Sequence, residues 1–177
     1  VFHATSADEV LEIQTAFPGS QVVQLPNVPA YPLANLPSST KEPGYLRLLF
    51  VGRIHPIKNL LVVLKQLFQI RHRVHFSVIG PEEDPAYVQE CKETASRLPA
   101  NVRVEFLGPQ PENCISEQLQ QTDAFVLPTE GENFGHAIFE AFAAGVPVII
   151  SDRTIWRDLP GRFAGWDHSL SDHRSFV

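Results

Sequence analysis

The chain has 177 residues, 44% of them apolar, which is enough for one fair-sized domain or a domain with a fragment of another. Its net charge of −6 leaves no global positive field for nucleic acid or an anionic membrane, so any anionic ligand must be held by local groups. No run of eighteen apolar residues offers a transmembrane helix, and two cysteines without metal-ligand spacing, Cys91 and Cys114, read as reduced thiols of a cytoplasmic protein.

The chain opens Val1-Phe2-His3 without an initiator methionine, and contains no methionine at all, as a piece cut from a longer protein would. Residues 1–25 read as strand, helix and strand. Ser6-Ala7-Asp8-Glu9 has the form of a capping box, with Glu9 able to reach back past the serine. Val10, Leu11 and Ile13 give the helix an apolar side, and Pro18-Gly19 stops it. Residues 26–44 hold Pro26, Pro29, Pro32, Pro37 and Pro43 with Ser38-Ser39-Thr40, a linker and the best domain boundary in the chain.

From residue 45 the pattern becomes regular. Strands are expected over 46–51, 74–79, 102–107, 124–127 and 146–150, and helices over 58–70, 84–98, 113–121 and 135–144. Several strands are continuous apolar runs, as in parallel strands covered on both faces. The alternation predicts right-handed crossovers and a doubly wound, Rossmann-like α/β parallel sheet. Residues 159–177 show no completed element, and a truncation is expected there as well.

In such a sheet, ligands bind outside the carboxyl ends of the strands. Four of the five loops there carry glycine: Gly52 to Lys58, Gly80 to Asp84, Gly108 to Gln110 and Pro128 to Gly135; the fifth is Ser151-Asp152-Arg153. Arg53 presents a planar fork suited to phosphate and Lys58 adds a point charge. Lys58 at the start of the 58–70 helix would stand against the helix dipole, a strain that an anion would relieve. Glu132 and Glu140 bracket Asn133-Phe134-Gly135, with Glu132 in a loop and Glu140 inside the helix that Gly135 opens. A helix start of that kind is ready for a phosphate. Each carboxylate can accept two hydrogen bonds from a vicinal diol. Two acids, a phosphate-ready turn and two cations fit a ligand with hydroxyls at both ends and phosphates between, the form of a nucleotide sugar.

Other residues have plainer readings. His72 and His75, three apart on a strand, face opposite sides and make no shared metal site. The acids Glu82, Glu83 and Asp84 open a helix. Asp152 caps a short helix running through Trp156. Trp156 and Trp166 cover the end of the sheet, while Arg153 and Arg157 are solvated. His136, beside the phosphate-ready turn, is open between a ligand role and a surface role. Gly52-Arg53-Ile54-His55 lacks the second glycine of a dinucleotide fingerprint, which counts against a nicotinamide-dependent enzyme.

The ordered set Gly52-Arg53…Lys58-Asn59, Phe106-Leu107-Gly108, then Glu132-Asn133-Phe134-Gly135-(x4)-Glu140 followed by Gly145-Val146-Pro147-Val148, resembles the donor half of a group 1 retaining glycosyltransferase of the GT-B fold. The resemblance covers residues 46–152, and the segments His3 to Ser6 and Pro26-Asn27 resemble the end of that family's acceptor half. It implies transfer of a hexosyl group from a nucleotide-diphosphate sugar to a saccharide or lipid-linked acceptor, with retention and without an essential metal or other cofactor. Surface polysaccharide or glycolipid assembly is a common setting for the family. Arg53, Lys58 and Glu132 would be the catalytic residues. Arg53 and Lys58 would hold the diphosphate, Glu140 the ribose hydroxyls and Glu132 the transferred sugar. Asn133, Phe134 and Gly135 would offer backbone groups, and backbone at Gly52, Gly80 and Gly108 would complete the donor site.

On this reading residues 1–25 are a remnant of the acceptor-side domain, 26–44 the linker and 45–177 the donor domain. The fragment would bind donor without turning it over, and no nucleic acid partner is implied. A peripheral membrane association of the full-length enzyme is compatible with it. Half of a nucleotide-sugar epimerase and a non-catalytic donor-binding subunit are the alternatives; the Phe-Gly between the two glutamates argues against the epimerase.

Overall fold

The computed structural model describes residues 1–5, 7–25 and 42–171. Strand β1 (Phe2–Ala4) pairs in parallel with β2 (Val22–Gln24), and helix α1 (Ala7–Ala16) connects them. Ser6 and residues 26–41 lie outside the described residues, and with them the serine of the capping box and most of the expected linker. The reach of the glutamate is visible: Thr5 donates both its amide and its hydroxyl to Glu9 at 2.7 Å. Leu11, expected on the apolar side of α1, is exposed, while Val10 and Ile13 are half-buried.

The remaining elements form one parallel sheet. They are β3 (Tyr45–Val51), a 3₁₀ turn at Pro56–Lys58, α2 (Leu60–Leu67), β4 (Arg73–Ile79), α3 (Pro85–Ser96), β5 (Val102–Gly108), α4 (Glu112–Gln120), β6 (Ala124–Leu127), α5 (His136–Ala143), β7 (Val148–Ser151), a second 3₁₀ turn at Pro160–Arg162 and β8 (Gly165–His168). The strand order is β5-β4-β3-β6-β7-β8, every neighbouring pair parallel. From β3 the chain winds outward through β4 and β5, then returns across β3 and winds the other way. This is the doubly wound arrangement expected, and its direction reverses between β3 and β6.

The core follows from the apolar runs. Leu48, Leu49 and Phe50 of β3, Phe76 and Val78 of β4, and all four residues of β6 are buried. Covered on both faces, such strands have no need for polar alternation. Against them pack Leu60, Val63, Leu64 and Leu67 of α2, Val88 and Cys91 of α3, and Ile138 and Ala141 of α5. The stripe of α3 is the expected one, with Tyr87 half-buried and its hydroxyl accepting from the Leu61 amide at 2.9 Å. Burial pushes the Cys91 thiol up to about 12, so it stays neutral and unreactive.

Four local readings need correction. The 58–70 helix begins at Leu60, because Asn59 takes the left-handed conformation (φ 58°, ψ 30°) between the 3₁₀ turn and α2. The periodicity restarts there, so Val63 is buried while Phe68 is exposed. No helix follows β7: Thr154 Oγ1 accepts from the Trp156 amide at 3.2 Å in a side-chain turn, and Asp152 caps nothing. Of the three acids after β4, only Asp84 caps α3, accepting from the Tyr87 amide at 3.0 Å. Glu82 and Glu83 reach sideways to Lys92 and Arg53. Finally, residues 165–168 add a sixth strand that the sequence conceals, since Gly-Trp-Asp-His carries no apolar alternation.

Gly80 shows why glycine ends β4. With φ +145°, it lies so close to β3 that a Cβ would stand 1.9 Å from the Gly52 carbonyl oxygen. Neither backbone can yield, because Gly52 donates to Ile79 at 2.9 Å and Gly80 to Gly108 at 3.0 Å. At Gly52 itself an added Cβ meets only ordinary contact, 3.6 Å from the Phe50 ring. Gly80→Ala is therefore expected to lose at least about 3 kcal/mol. Gly52→Ala should stay within about 1 kcal/mol of the parent. Urea denaturation of the two variants side by side measures the difference.

Candidate functional site

The reversal between β3 and β6 opens a crevice at their carboxyl ends, bounded by the loop 52–59 after β3 and the loop 128–135 after β6. Backbone hydrogen bonding fastens the two loops together. The Glu130 amide donates to the Ile57 carbonyl at 2.7 Å. Thr129 Oγ1 lies 3.1 Å from the same carbonyl.

This fastening brings Lys58 and Glu132 into direct contact, Nζ on Oε2. The side chains are only 12% and 21% exposed. In that setting each charge depends on the other, because removing either leaves its partner half-buried and unpaired. The sequence reading assigned Lys58 to phosphate and Glu132 to sugar separately; the pair they make with each other was not foreseen. The Lys58 ammonium has two further hydrogens beyond the one directed at Glu132.

Gly135 shapes the same corner. It takes φ +78° as the N-cap of α5, and a Cβ there would stand 2.9 Å from Ile138 and 3.1 Å from Cγ of Glu132. No side chain caps α5, whose N-terminus stands at the end of the 128–135 loop. His136 and Glu140, four residues apart, share one face of this helix. His136 is exposed, with its ring 5.1 Å from that of Phe134, and Glu140 is half-buried.

Asn133 is exposed at the tip of the loop. Phe134 points back into an aromatic cluster, 5.5 Å from Trp156, and Trp156 also packs edge-on against Phe142. The Trp156 indole donates to the Phe134 carbonyl at 2.7 Å. Trp156 thereby anchors the turn that opens α5. Trp156 covers this turn, while Trp166 is half exposed on β8.

Arg53 stands farther out. One guanidinium nitrogen lies 2.8 Å from both carboxylate oxygens of Glu83, with the two side chains 53% and 41% exposed. Such a pair contributes little stability and opens readily. Gly52, Gly80 and Gly108 lie side by side at the ends of β3, β4 and β5, with Gly80 buried between the other two. Arg153 and Arg157 are both exposed, as read, and Arg157 also donates to the Asp152 carbonyl. His75 turns to Glu105 at 2.8 Å, a contact that lowers the Glu105 carboxyl from its usual range. Among the described residues, no three His, Cys, Asp or Glu side chains gather as a metal site requires, and no helix is long and apolar enough to cross a membrane.

Three residues at this corner were missed as contributors: Thr129 and Ser151, both fully buried, and Trp156. A hydroxyl at the end of an otherwise apolar run, as at Thr129 and Ser151, was the available signal.

Known proteins resemble this chain in sequence and fold. The chain is 30% identical over 148 residues to a phosphatidyl-myo-inositol mannosyltransferase of Mycobacterium tuberculosis, covering 78% of this chain and 37% of that protein. It is 30% identical over 118 residues to a D-inositol 3-phosphate glycosyltransferase of Rhodococcus erythropolis, covering 63% of this chain and 27% of that one. The chain thus spans 27% to 37% of the length of these relatives. Among solved structures, WaaG, a glycosyltransferase involved in lipopolysaccharide biosynthesis, superposes over 98% of this chain and 51% of its own, with a TM-score of 0.74 and 17% identity. Anabaena HepE, solved with UDP and glucose, covers 74% of this chain and 36% of its own, with a TM-score of 0.64 and 21% identity. A model of the family described as glycosyl transferases group 1 matches residues 46–161, the whole sheet up to the second 3₁₀ turn, and the chain belongs to that family.

Proposed function

We propose that this chain is the donor-binding half of an enzyme that moves a hexosyl group from a nucleotide-diphosphate sugar to a saccharide or lipid-linked acceptor, with retention. The observation that carries the reading is the Lys58–Glu132 pair beside the uncapped start of α5, at the point where the sheet reverses. HepE, which shares the fold, was solved with UDP and glucose.

The roles follow the geometry. Cleaving the bond from sugar to diphosphate leaves an oxocarbenium-like sugar and concentrates negative charge on the departing phosphate. Fixed positive groups that meet this charge are usually the largest contribution to catalysis. Lys58 keeps Glu132 and still has hydrogens for a phosphate oxygen. The first-turn amides of α5, with Asn133 and Gly135 backbone, serve the phosphate and sugar. Arg53 swings from Glu83 to the diphosphate at little cost, since it leaves an exposed pair. Glu132 accepts hydroxyls of the transferred sugar and Glu140 those of the ribose, while backbone near Gly80 and Gly108 flanks the base. In this reading Arg53, Lys58 and the helix amides supply the positive charge, and no metal is assigned. Residues 1–25 belong to the acceptor side and 45–177 to the donor side. The acceptor half supplies what turnover further needs, so this chain without it binds donor but does not transfer.

The direct test is a ligand-observed NMR titration with UDP, GDP and ADP. Saturable binding with a preference for one base is expected, and no binding by any of the three would overturn the reading. The two cations should then separate. In the full-length enzyme, Arg53→Ala is expected to lower turnover about 100-fold or more. Its melting temperature should hardly change, because its exposed partner contributes under about 1 kcal/mol. Lys58→Ala should lower both, since it also strands the Glu132 carboxylate. Parallel turnover and calorimetric measurements decide; a normal turnover in Arg53→Ala would remove Arg53 from the site.

A further inference from the structure

Thr129 and Ser151 are completely buried, among apolar neighbours that make up the rest of their strand ends. A valine and an alanine would fill the same space without the cost of burying a hydroxyl, so each hydroxyl must find partners. Thr129 Oγ1 lies 3.1 Å from the Ile57 carbonyl and 2.8 Å from the Gly131 carbonyl, and accepts from the Gly131 amide at 3.3 Å. Ser151 Oγ donates to the Thr129 carbonyl and accepts from the Arg153 amide at 3.3 Å. The Glu132 amide in turn donates to the Arg153 carbonyl at 3.2 Å. One continuous network thus joins the loops after β3, β6 and β7, and its centre is a single buried hydroxyl.

The two carbonyls that face this hydroxyl belong to Ile57 and Gly131, the residues immediately before Lys58 and Glu132. We infer that Thr129 is a positioning residue: its hydroxyl, backed by Ser151, sets the separation of Lys58 from Glu132 and so holds the phosphate-binding cation in place. The inference rests on the donor-site reading for its functional meaning, whereas its structural half stands on the ion pair itself. Thr129 touches no ligand in this account. It acts by keeping two loops from drifting, and a displacement of about 1 Å at such a site costs on the order of 100-fold in rate.

The test uses the full-length enzyme with Thr129→Val, which keeps the shape and removes the hydroxyl, and Thr129→Ser, which restores the hydroxyl. Thr129→Val is expected to weaken binding of the nucleoside diphosphate preferred by the parent about tenfold, and to lower kcat by more than that. Thr129→Ser should recover both to within about threefold of the parent. A second measurement needs no ligand. The coupling between Lys58→Met and Glu132→Gln, read from unfolding equilibria in a double-mutant cycle, should be about tenfold in the parent and largely lost in the Thr129→Val background. Should Thr129→Val not fold, Ser151→Ala breaks the neighbouring bond and should reduce the same coupling. If the parent binds no nucleoside diphosphate but its coupling depends on Thr129, the donor reading fails and the positioning role stands. Parent-like coupling and binding in Thr129→Val would overturn the inference, as would a Thr129→Ser variant as impaired as Thr129→Val.

Discussion

Everything at this site depends on one half-buried ion pair held where the winding of a parallel sheet reverses. A reversal leaves a gap that no crossover helix covers, and the loops on its two sides must be fastened by something other than the strands. Here the fastening is polar: backbone bonds from Glu130 to Ile57 and from Glu132 to Arg153, with Thr129 and Ser151 beneath them. Lys58 and Glu132 sit on top of that platform. Their mutual dependence makes the floor of the crevice rigid before any ligand arrives, which reduces what ligand binding must spend on ordering.

The rim follows a different logic. Arg53 and Glu83 are exposed, and both lie on loops at the ends of neighbouring strands. Water screens their attraction, so the pair can exchange for another anion with little loss. On the proposed reading, a half-buried cation and an exposed one divide the labour: the first defines the position of the negative charge, the second adapts to it. Trp156 adds a third kind of support, using an indole N–H and an aromatic cluster to hold the turn that starts α5.

Much of the fold was legible because both of its signals are local. Continuous apolar runs such as Leu48-Leu49-Phe50 mark strands covered twice, and stripes such as Tyr87, Val88 and Cys91 mark the inner faces of helices. Gly135 was legible as the start of α5 because a helix that begins without a Cβ announces itself in sequence. What escaped reading was non-local or unpatterned. Lys58 and Glu132 are 74 residues apart, and only the strand order makes them neighbours. The left-handed Asn59 interrupted a helical pattern that still scanned as continuous, and the edge strand β8 carries a polar sequence that its exposed position tolerates. Thr129 passed as the polar end of a strand, since a hydroxyl's partners are fixed by loops that the sequence does not align.

These misses share a physical cause that bears on the chemistry. A loop residue is selected for where its neighbours' backbone must go, and backbone carbonyls have no signature in sequence. At this crevice the side chains that meet a ligand are few, whereas the groups that place them are main-chain atoms of Ile57, Gly131 and Arg153. The family motif therefore records only the outer half of the site. The inner half is a hydrogen-bond network, in which a methyl-for-hydroxyl exchange such as Thr129→Val removes partners while keeping charge and nearly all of the volume. The spacing between cation and carboxylate is thus adjustable independently of the residues that make contact.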